Sequence, residues 1–473
     1  MDAAWKKLLL NQFHDILPGS SIARVYEDAR RDHQWIIGEA EDVKNDALKF
    51  LTTGEGFSVF NSLSFGRQGL VKLPERFADG AATSDGYAVP VRRTAEGLMG
   101  LVSMPPCGAV SLIPSRVNPE LKETARARLT ETGAVIENDH VRAVLNSKGE
   151  VISFTWSNSG LEYAAGPMNH LLAYKDVPRV FDAWDIDSNY IDQPVPLDEK
   201  AELTIKEESG LRAVVHVSRK IMNSSWEQDI VLTAFNCRLD FVTTVDWHEL
   251  HRLLKVEFPV NVNAAEGINE IQFGYMARPN HRSRLYDKDR FEVCNQRYSA
   301  LCDQSHGAAV LNDCKYGVSM NGNALQLSLL RAAASPEMRA DNGKHTFTYA
   351  FTCWACSFYD SNVVAQAYDL NVPLQTMEGG CAAFSAFGVY DAPVYIDTAK
   401  PAEDGSGDLI LRLYESKRGD TACNLSVDLP VQAAWLCDML ENKLEALPIS
   451  DGEIALRFHP FEVKTIRLAV SAD

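Results

Sequence analysis

The 473-residue sequence sets 46 Lys plus Arg against 64 Asp plus Glu, a formal net charge of −18, with 46% hydrophobic and 23% charged residues. That is the make-up of a packed chain of about two to four domains rather than a disordered one, and its acidic excess argues against nucleic acid or anionic membrane as partner. No apolar run approaches the roughly 20 residues that span a bilayer, and Met1-Asp2-Ala3-Ala4-Trp5 lacks a basic stretch leading an apolar one, so a cytoplasmic chain is expected. The ten cysteines mostly stand alone and read as small buried hydrophobes of a reducing compartment. Cys353-Trp354-Ala355-Cys356 sits in a strand-like run without a second pair at zinc-ribbon spacing.

Helical periodicity is confined to the beginning. Trp5, Leu8, Leu9, Phe13 and Ile16 recur at steps of three and four, with Leu10, His14 and Leu17 on the adjacent stripe, which would keep His14 from pointing straight into water. Pro18-Gly19 ends this helix, and Ser20-Ser21 offers a hydroxyl cap to a second one that places Ile22, Val25, Ala29, Ile36, Val43, Ala47 and Leu51 on one side and closes at Gly54-Glu55-Gly56. Two helices apolar on one face do not make a finished core; they need a further partner.

After Phe57 the texture becomes short β-branched and aromatic runs between Gly, Asn, Asp and Pro, which predicts β structure to the end of the chain. Residues 57–117 form a small β unit and Lys122 to Arg128 a charged linker. Residues 133–372 form a large antiparallel sandwich without intervening helices, and 373–473 a smaller β unit.

Three constellations carry chemistry. Asn11 to Ser20 brings His14, a possible metal ligand, beside Asp15, whose carboxylate suits sugar hydroxyls; the alternative is a satisfied core histidine and a terminal polar residue. Phe181-Asp182-Ala183-Trp184-Asp185 sets an aromatic ring among acids, a sugar-binding combination that also fits an ordered loop with a core tryptophan. Asp246-Trp247-His248-Glu249-Leu250-His251 mixes imidazoles and acids, but neighbours on a strand face opposite ways, which favours a structural role. Arg278 to Arg284 reads as an exposed loop paired with Asp287 and Asp289.

The run from Trp5 to Ser20 resembles the helix motif of glycoside hydrolase family 38 α-mannosidases of the cytosolic type. Blocks at Phe57–Leu63, Tyr174–Asp185, Asp246–His251, Glu270–Gly274, Leu311–Gly317, Leu327–Arg331 and Asp341–His345 resemble family blocks in the same order, so the resemblance covers essentially the whole chain. It implies a mainly β fold: a partial helical bundle over 1–53, the small β domain, a galactose-mutarotase-like supersandwich and a C-terminal β domain. It implies a retaining α-mannosidase with one divalent metal, zinc or in the cytosolic type sometimes cobalt, with His14 as a ligand and Asp15, Trp184 and Asp185 as contacts to an oligosaccharide ending in α-mannose. The family carries its nucleophile, acid/base and remaining metal ligands in an N-terminal barrel that would precede Trp5. None of these maps onto this sequence, so no catalytic residue is assigned, and the chain by itself is expected to be inactive. The barrel, on the same longer chain or a separate one, is the expected partner, and self-association through the uncovered apolar faces, or disorder of the residues before Gly54, is expected. The competing expectation is a non-catalytic carbohydrate-binding protein with mannosidase-type sandwich domains.

Overall fold

The computed structural model describes residues 1–470. Two helices, α1 (Asp2–Asn11) and α2 (Ala23–Leu51), lead into a series of antiparallel sheets interrupted by α3 (Leu285–Lys288) and α4 (Val363–Asn371). The mainly β architecture expected from the sequence is what the chain adopts.

The largest unit faces a nine-stranded sheet, centred on Leu239–Trp247 and Gly343–Trp354, against a six-stranded sheet centred on Arg252–Pro259 and Ala324–Leu330. Strand periodicity drives this pairing: along Leu239–Trp247 every second residue is buried, so Leu239, Phe241, Val245 and Trp247 point into one core. There Phe258 stacks on Phe351 at 5.7 Å and Phe241 on Tyr349 at 5.1 Å. The C-terminal sandwich has its own core, including Leu411, Leu425, Ile454, Phe458 and Leu468.

The register of these sheets brings distant loops to one end of the sandwich. Lys175 pairs with Arg252, Leu254 with Leu330, and Trp247 with Gly343. Hence the segments leaving Lys175, joining Trp247 to Arg252 and joining Leu330 to Gly343 emerge side by side. Hydrogen bonds lock them: Asp176 N–H donates to His251 O (3.0 Å), His251 N–H to Ala332 O (2.7 Å), and the Trp247 indole N–H to Arg331 O (2.9 Å).

Several local expectations are corrected. The first helix stops at Asn11, and residues 12–19 form turns, so the helical stripe does not continue to His14 and the imidazole is exposed. α2 begins after Ile22 without a side-chain cap; the Ser20 hydroxyl turns to Asp15 instead. Strand structure starts at Thr53, and Arg126–Thr130 is a strand, not a linker. α4 escaped notice because it is buried nearly all round, at Val363, Val364, Gln366, Ala367 and Tyr368, so it lacks the polar face that marks a surface helix. After α4, Gln375–Gly380 and Phe384–Ser385 return to pair with Thr53–Asn61 and Gly108–Pro114, so the sheets do not divide at residue 373. All ten cysteines are free, but only Cys353 and Cys437 are buried. Asp287, not Asp289, collects the 278–284 loop, accepting the Arg284 N–H at 3.1 Å with His281 at 3.7 Å.

The uncovered apolar faces are present. Trp5, Leu9, Leu10, Phe13 and Leu17 are each more than half exposed, and α2 buries only Ala29 and Leu48. Exposed apolar side chains clustered in this way drive association in water. The 473-residue chain is expected to show concentration-dependent self-association in sedimentation equilibrium, weakened by the double substitution Leu9→Lys, Leu10→Lys. A strict monomer at all concentrations would show that water alone covers this face.

Candidate functional site

The turn between α1 and α2 lies against the sandwich end just described. Trp184 Nε1 donates to Asp15 Oδ1 across 3.3 Å, and the Ser20 hydroxyl donates to the same oxygen at 3.3 Å. Two residues 169 positions apart thus meet. A cavity of about 480 Å³ opens between them, bounded by Asp15, Ser20, Phe181, Trp184 and Pro336 among others. Trp184 is 61% exposed, leaving an aromatic face to stack on the C–H face of a sugar while the second Asp15 oxygen can accept a hydroxyl proton.

Trp184 is held by its backbone. Phe181 turns the chain at φ +56°, and Trp184 N–H and Asp185 N–H both donate to Phe181 O, at 2.7 and 2.9 Å. Arg331 clamps the turn: its guanidinium donates to Ala183 O (3.3 Å), Asp182 O (3.1 Å) and Asp185 O (2.8 Å), and its Nε donates to Asp176 Oδ2 (2.6 Å). The Asp176 side chain is 3% exposed. Burial pushes its carboxyl up from the ordinary value, opposed by Arg331.

Asp182 anchors the other side. Its Oδ2 accepts from Ala334 N–H (2.7 Å) and Ser335 N–H (3.1 Å), and His251 Nε2 lies 3.0 Å away. Burial works against its charge, but the Ala334 N–H and His251 outweigh this and hold the carboxyl below its ordinary value. Asp176, Asp182, His251 and Arg331 were not singled out from the sequence, although each stands in a quoted block. What joins them is strand register, which spacing along the chain does not display.

The remaining predicted residues fare unequally. Asp185 is exposed, does not line the Asp15–Trp184 cavity, and among the described residues its carboxylate accepts only the N–H of Ile186 (3.0 Å). His14 packs its ring against Phe13, centroids 4.1 Å apart. Among the described residues no three His, Cys, Asp or Glu side chains gather to hold a metal ion. His14 alone therefore does not fit a zinc site, which takes three or four ligands. In the 246–251 run, Trp247 is fully buried, Glu249 is buried and accepts from the Ser224 hydroxyl (2.7 Å), and His248 lies 2.9 Å from Asp246. Their contacts are structural.

Comparison with known proteins matches three regions of the chain to family models: the alpha mannosidase middle domain over residues 1–51, the glycosyl hydrolases family 38 C-terminal domain over 136–339, and the family 38 C-terminal beta sandwich domain over 393–466. The chain belongs to glycoside hydrolase family 38, of which it carries the middle and C-terminal domains. It is 36% identical to human Alpha-mannosidase 2C1 over 98% of its own length and 45% of that protein's, and 30% identical to Alpha-mannosidase G of Dictyostelium discoideum over 98% and 47%. It thus spans about half the length of the relatives it matches. An alpha-mannosidase structure from Enterococcus faecalis superposes with a TM-score of 0.80 at 16% identity, covering 99% of this chain and 63% of the other, which establishes the shared fold.

Two outcomes follow from the clamp. Arg331→Ala strands the buried Asp176 carboxylate and frees three carbonyls, at an expected cost of about 3–5 kcal/mol in urea unfolding. Because the folded pKa of Asp182 lies below its unfolded one, its contribution is complete above the ordinary carboxylate value and is lost as pH falls through the folded value. The stability gap between the wild type and Asp182→Asn is therefore expected to be widest near neutral pH and to shrink below about pH 4. A gap independent of pH would show that ionisation plays no part.

Proposed function

We propose that this chain supplies the middle and C-terminal part of a metal-dependent retaining α-mannosidase that removes terminal α-mannosyl residues from oligosaccharides. The observation that carries this is the meeting of Asp15 and the exposed Trp184 ring over an open cavity, in a chain whose relatives are named alpha-mannosidases. Asp15 and Trp184 bind the terminal mannose, one through a carboxylate oxygen and the other through its ring face. Asp185 acts at most through its backbone carbonyl, as one of the acceptors on Arg331.

Retention needs two carboxyl groups about 5–5.5 Å apart, a nucleophile and an acid/base. Neither is assigned among these residues. His14 would be one ligand of a divalent ion, zinc or cobalt, whose other ligands come from the N-terminal barrel of the complete enzyme. When bound, such an ion supplies Lewis-acid polarisation of sugar hydroxyls. The ten free thiols suit a cytoplasmic setting, and no helix among the described residues is long and apolar enough to cross a membrane.

The purified 473-residue chain is expected to show no measurable hydrolysis of an aryl α-mannoside with added zinc or cobalt. Supplying the N-terminal portion of a family relative is expected to produce activity that His14→Ala abolishes. Robust turnover by the chain alone, or restored activity indifferent to His14→Ala, would sink the proposal. Equal sugar binding by the chain and its His14→Ala variant, with no activity under any combination, would favour a non-catalytic carbohydrate-binding protein.

A further inference from the structure

A second cavity, of about 550 Å³, shares the turn between α1 and α2, and Ala183, with the Asp15–Trp184 cavity. One wall is α2, where Tyr26, Arg30 and His33 stand four and three residues apart and so share one helix face. The facing wall is the 331–342 segment, which contributes Glu337, Arg339 and Asp341.

Two of the guanidiniums lining this cavity are not spent on its carboxylates. Neither Arg30 nor the Arg339 side chain has an ion pair or hydrogen bond among the described residues, although the chain has an acidic excess of 18. Among the described residues the Glu337 carboxylate accepts a hydrogen bond only from the Arg339 N–H, at 3.1 Å. Asp341 is only partly exposed, and burial pushes its carboxyl up. Burial pushes the Tyr26 hydroxyl up from its ordinary value, and the charges of Asp15, Asp341 and Glu337 push the same way.

Arg331 also lines the cavity but is engaged with Asp176 and the carbonyls of the Trp184 turn; the two remaining guanidiniums, Arg30 and Arg339, face Glu337 and Asp341 across a common space and set donors beside acceptors. Neighbouring hydroxyls of a sugar satisfy such a set, each donating to a carboxylate and accepting from a guanidinium. An anion would meet Glu337 and Asp341, and a cation Arg30 and Arg339; a neutral polyol meets no such opposition.

We propose that this cavity is a second sugar subsite, seating a further unit of a neutral oligosaccharide whose terminal unit lies against Asp15 and Trp184. This rests on the reading of that first cavity given above. The cavity selects chain length: a monosaccharide occupies the first site alone, whereas an oligosaccharide reaches both.

The test is calorimetric or saturation-transfer titration of the 473-residue chain with methyl α-mannoside and with linear α-mannotriose. The triose is expected to bind about tenfold more tightly. Arg339→Ala and Arg30→Ala, both at exposed positions where the fold tolerates truncation, are expected to remove most of that tenfold and to leave methyl α-mannoside unchanged. Trp184→Ala is expected to weaken both sugars. Equal affinity for the two sugars, or triose binding indifferent to both arginine variants, would overturn the subsite while leaving Asp15 and Trp184 in place. If Trp184→Ala changes neither sugar but the arginine variants still weaken the triose, it is the first reading that falls. Displacement of the triose by inorganic phosphate would mark an anion site and overturn the subsite.

Discussion

The candidate site depends on the buried pair between Arg331 and Asp176. A carboxylate that is 3% exposed is costly to leave charged, and the guanidinium that compensates it has further donors in a fixed planar fork. Those donors reach Ala183, Asp182 and Asp185 carbonyls, so the interaction that neutralises one buried charge also fixes the tight turn carrying Trp184. Lysine, with a single terminal nitrogen on a flexible stem, could neutralise Asp176 but could not span the three carbonyls as a planar fork. Asp182 and His251 brace the same turn from the opposite side, and the indole then reaches Asp15 on a different domain. The candidate surface is thus the outermost layer of a buried electrostatic assembly.

The same economy joins the domains. Asp369 on α4 accepts from Arg67 of the small β unit at 2.8 Å and from Arg238 of the supersandwich at 3.1 Å. Tyr368, its neighbour, carries Arg297 over its ring at 3.7 Å and meets the Tyr414 hydroxyl of the C-terminal sandwich at 3.0 Å. One short buried helix therefore contacts three β units. Polar groups at such a junction are satisfied only in one relative placement, so they specify the assembly as well as stabilise it.

Much of the fold was legible because alternation is local. The two-residue period of Leu239 to Trp247 and the three-and-four spacing along α2 are written in adjacent positions, and each names its own element. α4 was illegible for the complementary reason: buried on all sides, it has no polar face to reveal its period. At the site, Asp15 and Trp184 could be nominated from their residue types and family resemblance, but nothing in a linear reading indicated that their side chains touch. The exposed His14 shows the reverse error: the helical stripe was carried on to Leu17, up to the break at Pro18-Gly19, whereas the chain leaves the helix at Asn11.

The sequence by itself determined the class of fold and the family, since these follow from hydrophobic period and from blocks of residues in register. Tertiary structure alone decided which polar residues form a site. Strand register sets the ends of distant strands side by side, and burial then makes an unpaired charge expensive, so Arg331, Asp176, Asp182 and His251 become partners only once the sheets have closed.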